Sequence, residues 1–243
     1  MSDLYADLAD LYDLVFEWDI ENEADWLVDR LGSGCRTVLE PGCGAGRMFE
    51  PLARRGLAVT GIDRSPAMVE RARARGTGAT VVLADMTRFE LGPFDGGICP
   101  INTLGHLSHA ALGDHLEAMG RALRPGARYL VQLALGAKVG NESRWEVERD
   151  GWHVRATWTV ETRDAAAGSE LHRSIFEVLD GPRAGEVHEH EHVMSYWTAD
   201  TWGAAVAASP FRWAAVYDGI APGRPLAGFS ATGGLLWHEL VRA

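Results

Sequence analysis

The sequence predicts an α/β fold: a seven-stranded, largely parallel sheet with helices on both faces and an antiparallel β insert after the fifth strand. Three observations predict it. Between residues 37 and 135, short apolar strands alternate with helix-forming segments, the rhythm of covered βαβ units. From 144 to 198 the period drops to two, with turn residues between the runs, as in an antiparallel meander. A helix and two further strand-like runs then close the chain.

Residues 3–30 place Leu4, Leu8, Leu11, Tyr12, Val15 and Phe16, then Trp26, Leu27 and Leu31, at helical spacing among acidic residues. Two short helices follow, broken at Gly32-Ser33-Gly34. Thr37–Glu40 is the first strand, and a glycine loop after it opens a helix over 47–55. Ala58–Asp63 is the second strand. Ser65 caps the next helix and Pro66 opens it, running to Arg75. Thr80–Asp85 and Phe94–Cys99 are strands three and four. Ser108 caps a helix to Leu123, which the turn Arg124-Pro125-Gly126 stops. Ala127–Leu135 is the fifth and most apolar strand. In the insert, Trp152–Glu161, Leu171–Leu179 and Val187–Trp197 alternate. Thr198 caps Ala199–Ala208, and Phe211–Tyr217 and Gly234–Val241 complete the seven strands.

The 243 residues are 47% apolar, enough for one well-packed domain and a small lobe. No run approaches the ~18 apolar residues of a membrane span, and the acidic start Met1-Ser2-Asp3 lacks a signal peptide's basic and apolar regions. The expectation is a cytoplasmic chain with no membrane partner. Cys35, Cys43 and Cys99 show no CxxC spacing, so neither a disulfide framework nor a zinc site is expected. A net charge of −11 opposes binding to a phosphate backbone, and no nucleic-acid partner is expected. The best basic cluster, Arg71, Arg73 and Arg75, has the spacing of a solvated helix face.

Val38-Leu-Glu-Pro-Gly-Cys-Gly-Ala-Gly-Arg47 puts Gly42, Gly44 and Gly46 between a strand and a helix, where the backbone turns sharply and a ligand approaches it. A dinucleotide loop would carry glycine where Arg47 stands. Glu40, just before the loop, would repel a pyrophosphate and suits a cationic ligand. Asp63, ending strand two, is placed to accept both hydroxyls of a ribose. Asp85, ending strand three, and Met86 are placed to address an adenine amino group and ring face. All lie at the carboxyl ends of successive strands, the binding edge of an open parallel sheet.

With these motifs in order, residues 37–135 resemble the class I S-adenosylmethionine-dependent methyltransferases. The resemblance implies a Rossmann-like seven-stranded methyltransferase sheet, S-adenosyl-L-methionine as cofactor and S-adenosyl-L-homocysteine as product. It implies that Glu40 and the backbone of Gly42, Gly44 and Gly46 line the methionine part, and that Asp63 holds the ribose. Arg64 or Met68 packs near the adenine, which Asp85 and Met86 read, and Cys99 and Pro100 sit beside the methyl donor. The run Tyr5–Phe16 is similar to the lid of small-molecule methyltransferases, with Tyr12 at the position near the sulfonium; a core tyrosine is the other reading. The insert resembles, in layout, those of glycine N-methyltransferases and amino-sugar N,N-dimethyltransferases. Three units are expected: 1–136, lid helices and cofactor-binding half; 137–198, insert covering the acceptor pocket; 199–243, last helix and strands.

The expected reaction is in-line methyl transfer to N or O of a small-molecule acceptor, of the kind found in secondary metabolism. A non-catalytic S-adenosylmethionine-binding regulatory module and a protein methyltransferase are the alternatives. After strand four stands Cys99-Pro-Ile-Asn102 rather than an Asn-Pro-Pro-Tyr segment, which disfavours nucleic-acid and glutamine-amide acceptors. His106, beyond strand four, and His190 are the candidate bases. His188, His190 and His192 alternate on one strand and share a face. An exposed polar edge strand explains them equally, and a metal would need a third ligand that no motif supplies. Trp152 and Trp197 are read either as core or as walls of an acceptor pocket. The insert strands leave room for a homodimer paired across a two-fold axis.

Overall fold

Seven strands hydrogen-bond in the order β10-β11-β5-β4-β1-β2-β3, and a second sheet runs β6-β7-β8-β9. The computed structural model describes residues 4–136, 138–219 and 234–243. The start Met1 to Asp3 and the segment 220–233 of the expected C-terminal unit lie outside them. In the first sheet, β1 (Thr37–Pro41), β2 (Ala58–Asp63), β3 (Thr80–Leu83), β4 (Phe94–Cys99) and β5 (Leu123–Leu135) are parallel. Only β11 (Gly234–Arg242) runs against its neighbours, β5 and β10 (Phe211–Asp218).

Alternate residues of each strand feed opposite faces. Val38, Val59, Ile98 and Leu130 face α2 (Glu21–Leu31), α3 (Phe49–Arg54) and α4 (Pro66–Ala74). Leu39, Ile62, Tyr129 and Val131 face α5 (His109–Ala122) and α6 (Ala199–Ala207). The strand order reverses between β1 and β4, the switch point at which open sheets bind ligands. Three expected caps form: Ser65 and Ser108 accept from Met68 N and Ala111 N, and Thr198 makes a capping box with Thr201.

Helix α3 begins at Phe49 rather than at 47, because the glycine loop continues as turns through Met48. Strand β5 begins at Leu123, and the expected turn at 124–126 is an irregularity in its pairing with β4.

The second sheet comprises β6 (Glu142–Arg149), β7 (Trp152–Asp164), β8 (Ser169–Asp180) and β9 (Val187–Ser195). Sequence reading misses β6. Its residues Glu-Ser-Arg-Trp-Glu-Val-Glu-Arg are charged on the outer face, and only Trp145 and Val147 mark an inner one. The sheet's inner face packs on the N-terminal segment. Leu4, Leu8, Leu11 and Val15 of this segment, which includes α1 (Ala9–Val15), are buried against Val154, Ala156, Phe176 and Val178. Each such side chain contributes about 1.5–3 kcal/mol. Trp145 Nε1 donates to Val15 O at 2.7 Å, tying β6 to the end of α1. The segment 4–16 is thus held between the second sheet and, through Tyr5, Ala9 and Tyr12, the glycine loop and α4.

The basic cluster is neutralised locally: Arg75 pairs with Asp13 and Glu17, Arg71 lies near Asp13, and Arg73 donates to Val81 O. No described helix is long and apolar enough to cross a membrane.

Candidate active site

A cavity of ≈ 300 Å³ lies at the carboxyl ends of β1 to β4 and is roofed by Tyr5, Tyr12 and Phe16. Its floor is the glycine loop. Gly42 (φ +65°) has Thr103 Cγ2 2.4 Å from where a Cβ would stand, so no side chain fits there. At Gly44 (φ +53°) the same position is open. Gly46 (φ +79°) is required for packing instead, since a Cβ would meet the Phe49 ring at 2.6 Å. It does not line the cavity.

At one end Glu40 is only 3% exposed. Burial pushes its carboxyl up to about 8, with Arg47 pulling the other way. Glu40 Oε2 and both terminal nitrogens of Arg47 are buried without a hydrogen-bond partner among the described residues. The Arg47 guanidinium also lies 4.5 Å from the Trp18 ring centroid. A buried carboxyl and a guanidinium with buried terminal nitrogens, each with unpartnered polar atoms beside one cavity, are arranged for a ligand that carries both an ammonium and a carboxylate. Arg47 is a site residue that sequence reading uses only to exclude a dinucleotide.

Asp63 stands across the loop. Its Oδ2 accepts Gly44 N at 2.9 Å and its Oδ1 accepts Ser65 N at 2.8 Å, which fixes the carboxylate at the end of β2. Beyond it, Asp85 Oδ1 accepts the Thr87 hydroxyl and amide at 2.7 and 2.8 Å, and these bonds hold its carboxyl below the usual range. Arg64, Asp85 and Met86 line the cavity with Asp63. Met68 does not: fully buried, it supports Tyr5 and Tyr12 from below with Ala9 and Ala45. Cys99 is likewise buried, its thiol against Pro41 O, and Pro100 lines the cavity in its place.

The roof carries two tyrosines, Tyr5 as well as the expected Tyr12, packed edge to face at 4.9 Å. Tyr5 lies in the turns that precede α1, and Tyr12 within the helix. Ser65 Oγ donates to Tyr5 O at 2.7 Å, fastening the lid to the N-terminus of α4. The Tyr5 hydroxyl meets His106 Nε2 at 2.9 Å. Burial raises the Tyr5 phenol well above 10 and pushes His106 down to about 4, so a phenol and a neutral imidazole face each other.

His106 belongs to a 3₁₀ turn, Thr103–His106, that follows a strained corner. Ile101 (φ +48°) and Asn102 (φ +57°) both have left-handed backbones. Gln132 Oε1 accepts Ile101 N at 2.7 Å, and Asn102 Oδ1 accepts Ala134 N at 2.9 Å, so β5 holds the corner in place.

The insert's histidines lie on β9, which is the edge strand of the second sheet, but on its half-buried face, with Glu189 and Glu191 exposed on the other. His190 and His192 pair with Ser174 and His172 on the inner face of β8 and β9. His192 is the member near the site, its ring 6.0 Å from His106 and edge-on to Trp158 at 4.7 Å. His190 stacks behind His192 at 5.7 Å, and neither ring lines the cavity. His172 accepts from Trp158 Nε1 at 3.0 Å and meets Glu170 Oε2 at 3.1 Å. Burial, then the neighbouring His106, His172 and His190, pushes His192 down to about 3. Among the described residues no three His, Cys, Asp or Glu side chains are placed to hold a metal ion. Trp197 is core, stacked on His109 at 4.1 Å, and Trp152 lines an outer groove with Asp10 and Asp13. Neither walls the cavity.

Comparison with known proteins agrees with this geometry. The family model described as a methyltransferase domain matches residues 38–126. A ubiquinone biosynthesis O-methyltransferase of Pseudomonas paraeruginosa is 31% identical over 46% of this chain and 54% of that enzyme. The chain thus spans about half the length of that relative. A dTDP-3-amino-3,6-dideoxy-alpha-D-glucopyranose N,N-dimethyltransferase of Streptomyces fradiae is 27% identical over 86% of this chain and 85% of its own. Among solved structures, CalS10 of Micromonospora echinaspora, an amino pentose methyltransferase, superposes with a TM-score of 0.77 at 21% identity, covering 100% of both chains. DesVI of Streptomyces venezuelae does so with 0.79 at 22% identity, over 98% of this chain and 99% of its own. Residues 38–126 thus match a methyltransferase domain, and the whole chain has the class I methyltransferase fold, with a separate antiparallel sheet inserted after β5.

Proposed function

We propose that the protein transfers the methyl group of S-adenosylmethionine to a nitrogen of a small acceptor, an amine on a hydroxylated ring being the class that fits best. The observation that carries the cofactor reading is the pair of buried groups with unpartnered polar atoms at one end of the cavity, the Glu40 carboxyl and the Arg47 guanidinium. An α-amino acid group satisfies both, its ammonium on Glu40 and its carboxylate on Arg47. Asp63 then takes the ribose hydroxyls, and Asp85 and Met86 take the base. Support for nitrogen over oxygen comes from coverage: the amino-sugar relatives match this chain nearly end to end, the O-methyltransferase over about half.

The cofactor supplies a methyl group on a positively charged sulfur. The chain's part is placement, because methyl transfer needs a nucleophile about 3 Å from that carbon and in line with the sulfur. Tyr5, Tyr12 and Phe16 keep water from the site, and the lid's attachment to Ser65 holds them there. His106, neutral at pH 7, presents a hydrogen-bonding nitrogen at the acceptor end. With a pKa near 4 it is too weak a base to store a proton, so it orients an amine that arrives uncharged.

Calorimetry with S-adenosylmethionine and S-adenosylhomocysteine tests the cofactor reading, and no binding to either at high micromolar concentration would sink it. A methyl-release assay with sugar amines against catechols and carboxylic acids tests the acceptor. Turnover confined to the hydroxyl acceptors would reverse the nitrogen assignment.

A further inference from the structure

Helix α5 carries one polar side chain into an otherwise apolar face. His115 is fully buried between Leu112, Leu116 and Met119. A leucine there would fill the core without a polar group to satisfy, so what the imidazole bonds to explains its presence. Its Nδ1 lies 2.9 Å from Met86 O, and its Nε2 lies 2.8 Å from the Tyr129 hydroxyl. A carbonyl can only accept, so the proton is on Nδ1; Nε2 is then an acceptor, and Tyr129 O–H donates to it. Burial pushes His115 down to about 4 and raises the Tyr129 phenol well above 10, and both stay in these neutral forms at ordinary pH. The Cys99 thiol donates to Pro41 O at 3.8 Å.

The two bonds form a short line behind the cavity, from Tyr129 of β5 through His115 of α5 to the backbone of Met86. None of Tyr129, His115 or Cys99 lines the cavity, whereas Met86 and its neighbour Asp85 do. Elsewhere in the loop after β3, Ala84 N bonds to Asp63 O at the end of β2, Asp85 bonds forward to Thr87 and Arg88 N bonds to Asp85 O, so the Met86 carbonyl is the group held from α5.

We propose that His115 and Tyr129 are positioning residues for the nucleoside end of the site, setting Met86 and Asp85 against the purine through a hydrogen-bond line anchored in the core. The inference rests on the cofactor reading above. Wild-type binding of S-adenosylhomocysteine tests that reading by itself, and the variants are judged only relative to wild type.

The experiment is calorimetry with S-adenosylhomocysteine and with its inosine analogue, whose 6-oxo group replaces the amino group. His115→Leu should weaken S-adenosylhomocysteine binding about tenfold and lower the preference over the inosine analogue at least threefold. Leu116→Ala, a cavity in the same helix face, controls for general loosening and should leave the preference unchanged. Two amide substitutions separate the two bonds of the imidazole. The shorter amide of His115→Asn sits near the Nδ1 position and reaches Met86 O, so this variant should restore binding to within about threefold. The longer amide of His115→Gln extends toward Tyr129 and should not restore it. If His115→Leu does not fold, the two amide variants and Tyr129→Phe decide the matter. An unchanged purine preference across these variants, or an equal loss in Leu116→Ala, would overturn the proposal.

Discussion

Two regions meet at the site and are built by different means: the carboxyl edge of the parallel sheet lines the cavity, and the insert packs behind His106, one of its lining residues. The carboxyl edge of the parallel sheet supplies groups at or just beyond a strand end, fixed by backbone hydrogen bonds: Asp63 is held by Gly44 N and Ser65 N, and Asp85 by Thr87. The insert supplies alternate side chains from its long antiparallel strands that back His106 without lining the cavity, and these are placed by one another: His192 against His106, Trp158 and His172, with His172 on Glu170. The first kind of wall is rigid because the chain path makes it so. The second is a packing solution that can be retuned by single substitutions. Cofactor binding should therefore depend on few residues with large effects, and acceptor recognition on several with small ones.

The largest effect expected is at Asp63. Asp63→Ala removes the acceptor of two loop amides as well as the proposed ribose contact, and charged hydrogen bonds contribute about 1.5–3 kcal/mol each. S-adenosylhomocysteine binding should weaken at least about 100-fold by calorimetry. A loss below fivefold would break the claim that the strand-end wall carries the cofactor.

Glu40 comes next, through pH. Burial raises its carboxyl to about 8 in the ligand-free protein, whereas a bound ammonium requires the carboxylate. Binding must then release a proton below pH 8. Affinity should climb up to about tenfold per pH unit from 6 and level off above 8, and Glu40→Gln should be weaker and flat. Stability of the free protein runs the opposite way. A carboxyl whose folded pKa is raised contributes stability that is complete below its ordinary value and is lost as pH rises through about 8. The melting temperature of wild type relative to Glu40→Gln should fall between pH 5 and 8.

The contrast between the walls also explains what can be read from the sequence. Strand ends, caps and glycines leave local marks, and so Glu40, Asp63, Asp85, Ser65 and Ser108 are legible. Arg47 is visible as a residue but not as a partner of Glu40, because their meeting depends on the loop's fold through three left-handed glycines. Tyr5 lies too early in the chain to be separated from an ordinary amphipathic face. Sequence reading places Cys99 and Met68 in the site, yet the last residue of a buried strand and the apolar face of α4 point into the core. In the insert, period two shows which histidines share a face, but not which of them stops beside His106. That is decided by sheet twist and by the seat of β9 against the 3₁₀ turn, where Ser195 Oγ donates to Leu107 O at 2.6 Å.

His192 and His190 therefore make a matched pair for the insert. His192→Ala should raise the acceptor KM about five- to tenfold and leave S-adenosylhomocysteine affinity within about twofold. His190→Ala, one position further out, should change the acceptor KM by no more than about twofold. Equal effects would mean that the two rings act as one surface, and a loss of cofactor affinity in either would remove the division of labour between the walls.

The smallest effect separates the two faces of the insert sheet itself. On the outer face Arg173 bridges Glu161 at 2.8 Å and Glu189 at 3.1 Å, with more than a third of its side chain in water. Exposed ion pairs gain little, because water screens them and two long side chains must be held still. On the inner face Arg163 holds Glu170, which is 5% exposed, and Glu170 in turn meets His172. The bonds from His172 and Arg163 overcome burial and keep the Glu170 carboxyl below the usual range. Removing Arg163 would leave a buried carboxylate with one partner fewer, at the base of the line of rings that ends at His106. Arg173→Ala should shift the melting temperature by less than about 2 °C and leave acceptor kinetics unchanged. Arg163→Ala should lower it by several degrees and raise the acceptor KM, because the ring that backs His192 loses its anchor. If the outer-face substitution were the more damaging of the two, the insert would owe its shape to its charge ladder, and the histidine face would be free to move.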